Sequence, residues 1–207
     1  MRKILVIGCA LLVLTTLPLM AGINKGTVAG YIEAASITVQ DGTEEDIQSK
    51  VIGLMVKGSS YTNPASPFGF AYDIRVGKTT EYSVNEVKKD VSESPLNWDI
   101  GIYATFQEDV SYSTFIEAGA GFQFGSQTET WVISGSTFTY EFFSAYVAGY
   151  LELNYALTAT TFLSAGAKAL VPLGGTKTYT LDSSSWEYDI EMSGFALAPY
   201  VGISLAY

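Results

Sequence analysis

The final nine residues, Pro199-Tyr200-Val201-Gly202-Ile203-Ser204-Leu205-Ala206-Tyr207, alternate bulky apolar side chains with small ones. In an extended strand successive side chains point to opposite faces. Val201, Ile203, Leu205 and Tyr207 therefore share one face, and Gly202, Ser204 and Ala206 the other. The alternation continues upstream through Leu197 and Phe195 against Ala198, Ala196 and Gly194. A strand with one greasy face, one face of small residues and a terminal aromatic suits a sheet whose outer side meets lipid. Its last ring then sits at the lipid–water boundary.

The other terminus points to export. Arg2 and Lys3 precede an uncharged run, Ile4 to Met20, that ends at the small residues Ala21 and Gly22. This is the layout of a signal peptide over residues 1–21, with the working domain over 22–207. A transmembrane anchor is the alternative, because the run approaches bilayer-spanning length. Pro18 and the lack of a positively charged stop favour cleavage. Val6-Ile7-Gly8-Cys9 superficially resembles a lipoprotein box, but only five residues, Ile4 to Gly8, precede Cys9. The only cysteine is thus expected to leave with the leader, and disulfides and thiolate metal sites with it.

Past the leader, period-two alternation dominates and no apolar run of membrane-helix length remains. Strands are predicted at 28–40, 49–58, 67–78, 96–107, 111–125, 138–154, 158–171 and 190–207. Tight turns are expected at Glu108-Asp109-Val110 and Tyr155-Ala156-Leu157, against long polar loops at 79–95, 126–137 and 172–189. The predicted fold is all-β: one eight-stranded antiparallel up-and-down transmembrane barrel. A repeat supports this, since Val110 to Ala120 (VSYSTFIEAGA) recurs as Leu157 to Ala167 (LTATTFLSAGA). A duplicated hairpin explains the repeat, and generic strand composition is the alternative.

Charge decides inside from outside, because a Lys or Arg facing lipid at mid-bilayer costs roughly 2–4 kcal/mol. Trp98, Ile100, Ile102, Ala104 and Phe106 then face out, while Asp99, Gly101, Tyr103 and Thr105 face in. The same rule turns Glu33, Asp73, Arg75, Asp99, Glu117, Glu152 and Lys168 into the bore. The expectation is a plugged lumen in which Arg75 and Lys168 bridge the carboxylates, since eight strands leave only a side-chain-filled interior. A narrow acidic passage selecting cations is the alternative. Phe106, Tyr112 and Tyr155 would mark the short-turn interface, and Trp98 and Trp186 the loop-side one. Aromatic strand propensity alone would also enrich such rings. Pro199 lacks a ladder donor in a closed sheet, and a bulge is expected to accommodate it.

The leader, the eight-strand pattern and the Val201-Ile203-Leu205-Tyr207 ending resemble small outer-membrane β-barrel proteins of the OmpA, OmpX and OmpW type. The resemblance covers essentially the whole chain after the leader, as architecture more than as sequence. It implies residence in the outer membrane of a diderm bacterium. It also implies that Val201, Ile203, Leu205 and Tyr207 form an assembly signal read by the barrel-insertion machinery.

Chemistry is narrowed by what is missing. The chain has no histidine and carries a net charge of −10 at pH 7. Histidine-based acid/base catalysis and His-ligated zinc are excluded, and nucleic-acid binding lacks its clustered cations. No cofactor, no metal and no enzymatic activity are expected. An acidic cluster, Asp41, Glu44, Glu45 and Asp46, lacks the spacing of a calcium loop. Within 79–95, Ser83 and Glu86 stand at capping-box spacing, so a short helical turn competes with strand continuation. The function expected is a monomeric structural or surface-contact barrel, with outer-membrane lipid as its surroundings and an unidentified surface or host ligand. The alternatives are a narrow channel for small hydrophobic or cationic solutes, as in OmpW-like proteins, and a soluble lipocalin-like carrier with apolar residues inside.

Overall fold

The computed structural model describes residues 23–40, 44–61, 66–89, 96–133, 136–181 and 184–206. The expected leader with Cys9, together with Asp41 and Tyr207, lies outside these. The strands in chain order are β1 (Ile23–Gln40), β2 (Glu44–Tyr61), β3 (Phe68–Val84), β4 (Val87–Lys88), β5 (Asn97–Ser111), β6 (Thr114–Ile133), β7 (Ser136–Ala156), β8 (Thr161–Leu181) and β9 (Ser184–Ala206). Eight of them form a ring in the order β1-β2-β3-β5-β6-β7-β8-β9, every pairing antiparallel, and β9 closes back on β1. The two-residue β4 folds back on the end of β3. Closure removes the unpaired edges that would otherwise expose backbone donors and acceptors to lipid.

All eight expected strands are present, but most run longer than the alternation indicated. The described residues of 126–137 and 172–189, stretches expected as loops, are continuations of β6 to β9. Their Thr- and Tyr-rich sequences keep strand propensity while losing the greasy outer face that marked the other strands. The segment 79–95 divides in the same way. β3 continues to Val84, and Asn85 and Glu86 (φ 50° and 65°) make a tight turn into β4, so the helical turn does not form. The turn expected at 108–110 sits at Tyr112–Ser113, between the paired residues Ser111 and Thr114. The second turn spans Leu157–Thr160 instead of 155–157. With these positions the two repeat copies start their strands at equivalent residues, Thr114 and Thr161. The matching rings Phe115 and Phe162 meet edge-on inside, with centroids 5.2 Å apart.

Pro199 does not create a bulge. It stands opposite Ala167 on β8, and on its other side the β1–β9 ladder skips from Tyr31–Tyr200 to Ala34–Leu197 in unchanged register. The missing donor is absorbed as a local gap. The register shift in this wall lies in β8 between Leu170 and Gly175, where Gly174 takes φ 141°. That bulge reverses which β8 residues face inward: Leu170 and Pro172 below it are buried, and Lys177 above it.

Around the lower ring apolar side chains face out. Leu151 is 58% exposed, and Val28, Leu54, Phe70, Phe122 and Val201 stand exposed in the same belt. A soluble lipocalin-like carrier would place these residues inside, so that alternative is overturned. Above the belt the strands continue and the polarity reverses. Val39, Ile47, Tyr82, Tyr140, Phe142 and Ile190 pack into a buried apolar core, while Thr178, Glu187 and Asp189 lie on the outer face.

Candidate functional site

The bore holds three tiers of paired charge. In the lowest, Glu117 on β6 and Glu152 on β7 are direct register partners. Like charges directly opposite one another repel, and two lysines from the far wall relieve this pair. Lys25 Nζ on β1 lies 2.8 Å from Glu117 Oε2 and 2.6 Å from Glu152 Oε1. Lys57 Nζ on β2 lies 2.9 Å from Glu117 Oε1 and also contacts Glu152 Oε2. Each cation thus touches both anions across the lumen. Hydroxyls complete the shell: Tyr61 and Tyr150 donate to Glu117 at 2.9 and 2.8 Å, and Tyr200 donates to Glu152 at 2.9 Å. The Lys57 ammonium also sits 4.4 Å from the Tyr150 ring centroid, an attraction that strengthens out of water. Room for Tyr150 comes from Gly119, where any Cβ would strike its ring.

In the middle tier Lys168 on β8 pairs with Asp73 on β3 and donates to Gln123 at 3.0 Å, and Tyr103 donates to the same amide oxygen. In the upper tier Arg75 reaches sideways to two strands, with Nε 2.6 Å from Asp99 Oδ1 and Nη1 2.7 Å from Glu33 Oε2. Its guanidinium lies 4.9 Å from the Tyr31 ring centroid. Glu33 and Asp99 keep 18% and 16% side-chain exposure, because a small polar cavity lined by Asn97, Ser126 and Ser144 opens above them. The apolar core then caps the bore. Lys177 is buried there, 2.8 Å from Glu45 and 4.8 Å from each of the Tyr140 and Tyr179 ring centroids.

The seven charges assigned to the bore from sequence fall in these tiers: Glu117 and Glu152 below, Asp73 and Lys168 between, Glu33, Arg75 and Asp99 above. The expected bridging differs, however. Arg75 and Lys168 serve Glu33, Asp73 and Asp99, whereas Glu117 and Glu152 are held by Lys25 and Lys57. Sequence reasoning missed Lys25, Lys57 and Lys177. Lys25 precedes the predicted start of the first strand, and Lys177 lay in a predicted loop. Lys57 was legible, since its neighbours Leu54 and Val56 face out. The acidic cluster also separates: Glu45 turns in to Lys177, while Asp46 accepts from Thr38 on the surface.

The aromatics divide too. Trp98 stands opposite Val76 near the top of the belt, and Phe106 meets Phe68 at its other margin, with ring centroids 5.5 Å apart. Tyr155 is exposed at the lower end of β7, and Tyr112 occupies a turn tip. Trp186 is a correction. It shares the face of Ile190 and Ala196, the face that continues the bore, and it stands beside Tyr179 on the extension above the belt. It therefore does not face lipid. Val201, Ile203 and Leu205 are exposed on the outer wall.

No protein-family model matches the chain, and no curated protein matches it in sequence. The solved structures that share the architecture include two outer-membrane proteins. Neisserial surface protein A matches with a TM-score of 0.55 at 14% identity, covering 90% of this chain and 98% of that one. A major outer membrane protein from Thermus thermophilus matches with a TM-score of 0.59 at 9% identity, covering 90% and 100%. The chain has the fold of the small eight-stranded outer-membrane barrels. At such identities the likeness concerns the backbone path, and the ion tiers and projecting sheet described above are read from this chain's own residues.

Proposed function

We propose that this barrel resides in the outer membrane of a diderm bacterium after export, as a closed, non-enzymatic monomer whose working surface is the sheet projecting above the belt. The observation that carries the reading is the filled bore. Three tiers of paired charge and an apolar cap occupy most of the interior, with a small polar cavity beside Glu33 and Asp99. A conducting path would have to separate ion pairs such as Lys57 with Glu117 and Glu152, and a buried charge left without its partner costs several kcal/mol. The projecting sheet stands at the end opposite the start of β1 and the end of β9, and with both of those ends toward the periplasm it would face the cell exterior. Val201, Ile203 and Leu205, together with Tyr207, would present the assembly signal to the insertion machinery. Outer-membrane lipid would surround the belt.

Single-channel recording in planar bilayers tests this directly. Silence over a range of voltages is expected. Steady unitary currents that vanish when the Lys57 tier is changed would restore the narrow-channel reading.

A further inference from the structure

The sheet above the belt already holds one cation with aromatic rings. Lys177 Nζ lies 4.8 Å from the ring centroids of both Tyr140 and Tyr179, and Glu45 meets its charge at 2.8 Å. Toward the tip the same wall forms a second aromatic enclosure. Phe138 on β7, Tyr179 and Leu181 on β8, and Trp186 and Tyr188 on β9 surround a hollow of about 460 Å³, within the size range of small-molecule sites. Tyr179 and Trp186 are register partners. The Tyr179 and Tyr188 rings are steeply inclined to each other, with centroids 6.0 Å apart. Trp186 and Tyr188 stay half-exposed, so two large rings are left in contact with water. Charge around the hollow is lopsided. The described residues Thr176–Leu181 and Ser184–Glu191 carry Glu187, Asp189 and Glu191, all exposed, against the buried and already paired Lys177. Among the described residues, the lysines that reach solvent are Lys50 on β2 and Lys78, Lys88 and Lys89 on the β3–β4 hairpin.

We propose that this hollow binds an organic cation whose charge is carried on a fully methylated nitrogen. The electron-rich faces of Trp and Tyr attract positive charge, and the surrounding carboxylates raise the local concentration of cations. The lining also selects among cations. An ammonium that keeps its N–H groups needs acceptors when it leaves water. The hydroxyls here are engaged, Tyr179 with Tyr140 and Thr180 with Ser185. A trimethylammonium group has no N–H to satisfy and presents only methyls to the rings. The proposal gives the projecting sheet a ligand class, and it rests on the reading that this sheet stands in water.

The test uses the full chain folded in dodecyl maltoside micelles, with Trp98→Phe and Trp131→Phe so that Trp186 is the sole tryptophan. Choline chloride is titrated at constant, low ionic strength while Trp186 emission is followed. A saturable shift is expected. Ethanolamine, which keeps its N–H groups, and the uncharged tert-butyl analogue of choline should each bind at least about fivefold more weakly. Tyr188→Leu keeps an apolar side chain but removes the ring, and should weaken choline binding about two- to fivefold, with Tyr188→Phe restoring it. Glu187→Gln with Asp189→Asn should also weaken it, by a factor that shrinks as salt is added. Heat-modifiability on gels establishes that each variant is folded. Absence of a saturable shift, equal binding of either analogue, or unchanged affinity in Tyr188→Leu overturns the proposal. The membrane reading is judged separately, by whether the protein reconstituted in phosphatidylglycerol vesicles resists alkaline extraction. Extraction with choline binding intact would remove that reading and leave the cation site standing.

Discussion

The lower and upper halves of the barrel are made from the same strands, yet they are inside out relative to each other. Around the belt Leu151 and Val201 face outward, while Lys57, Glu117 and Glu152 are buried within. Above it Tyr140, Phe142 and Ile190 are buried, and Glu187 and Asp189 face outward. The backbone pairing is the same in both, so the surroundings account for the difference. Against lipid, an apolar exterior is cheap and every inward charge must find a partner. Against water, the ordinary rule of globular proteins returns, and apolar burial stabilises at roughly 25 cal/mol per Å².

Substitutions chosen by half would sharpen or break this contrast. The largest effect is expected from Lys57→Met, which leaves Glu117 and Glu152 facing each other with Lys25 alone. A loss of about 3–5 kcal/mol follows from stranding a buried charge, measured by urea unfolding in vesicles. Leu151→Arg, on the lipid face, should cost roughly 2–4 kcal/mol by the same measurement. Arg75→Ala should be milder, at about 1–3 kcal/mol, because Glu33 and Asp99 border the polar cavity and keep some access to water. Heat-modifiability unchanged from the unaltered protein would count against a role for Arg75 in holding this tier. Thr178→Arg, on the outer face of the upper half, should change stability by no more than about 0.5 kcal/mol. Equal penalties for Leu151→Arg and Thr178→Arg would erase the distinction between the halves.

That contrast also explains what the sequence reveals. The lower half was readable because one solvent rule, charges in and grease out, applies to every strand that crosses lipid. It placed Asp73, Glu117 and Lys168 on the lumen side and Ile100 and Ile102 on the outer side. The upper half follows the opposite rule. Stretches such as Thr176 to Leu181 and Ser184 to Asp189 therefore looked like polar loops, although they are paired strands. Truncating the strands there hid Lys177, the apolar cap and the true face of Trp186. The partners of Glu117 and Glu152 were obscured differently. Lys25 and Lys57 lie more than fifty residues away in sequence, and only closure of the ring brings β1 and β2 across from β6 and β7.

Spin labels at two positions, collided with lipid-soluble oxygen and with a water-soluble nickel chelate, would probe the inversion most directly. In a Cys9→Ser background reconstituted in bilayers, a label replacing Leu151 should meet oxygen and be shielded from the chelate. A label replacing Glu187 should show the reverse. Free access of the chelate to the Leu151 site would mean that its wall faces water, and the account of the molecule as a lipid-embedded barrel with a water-exposed sheet would be wrong.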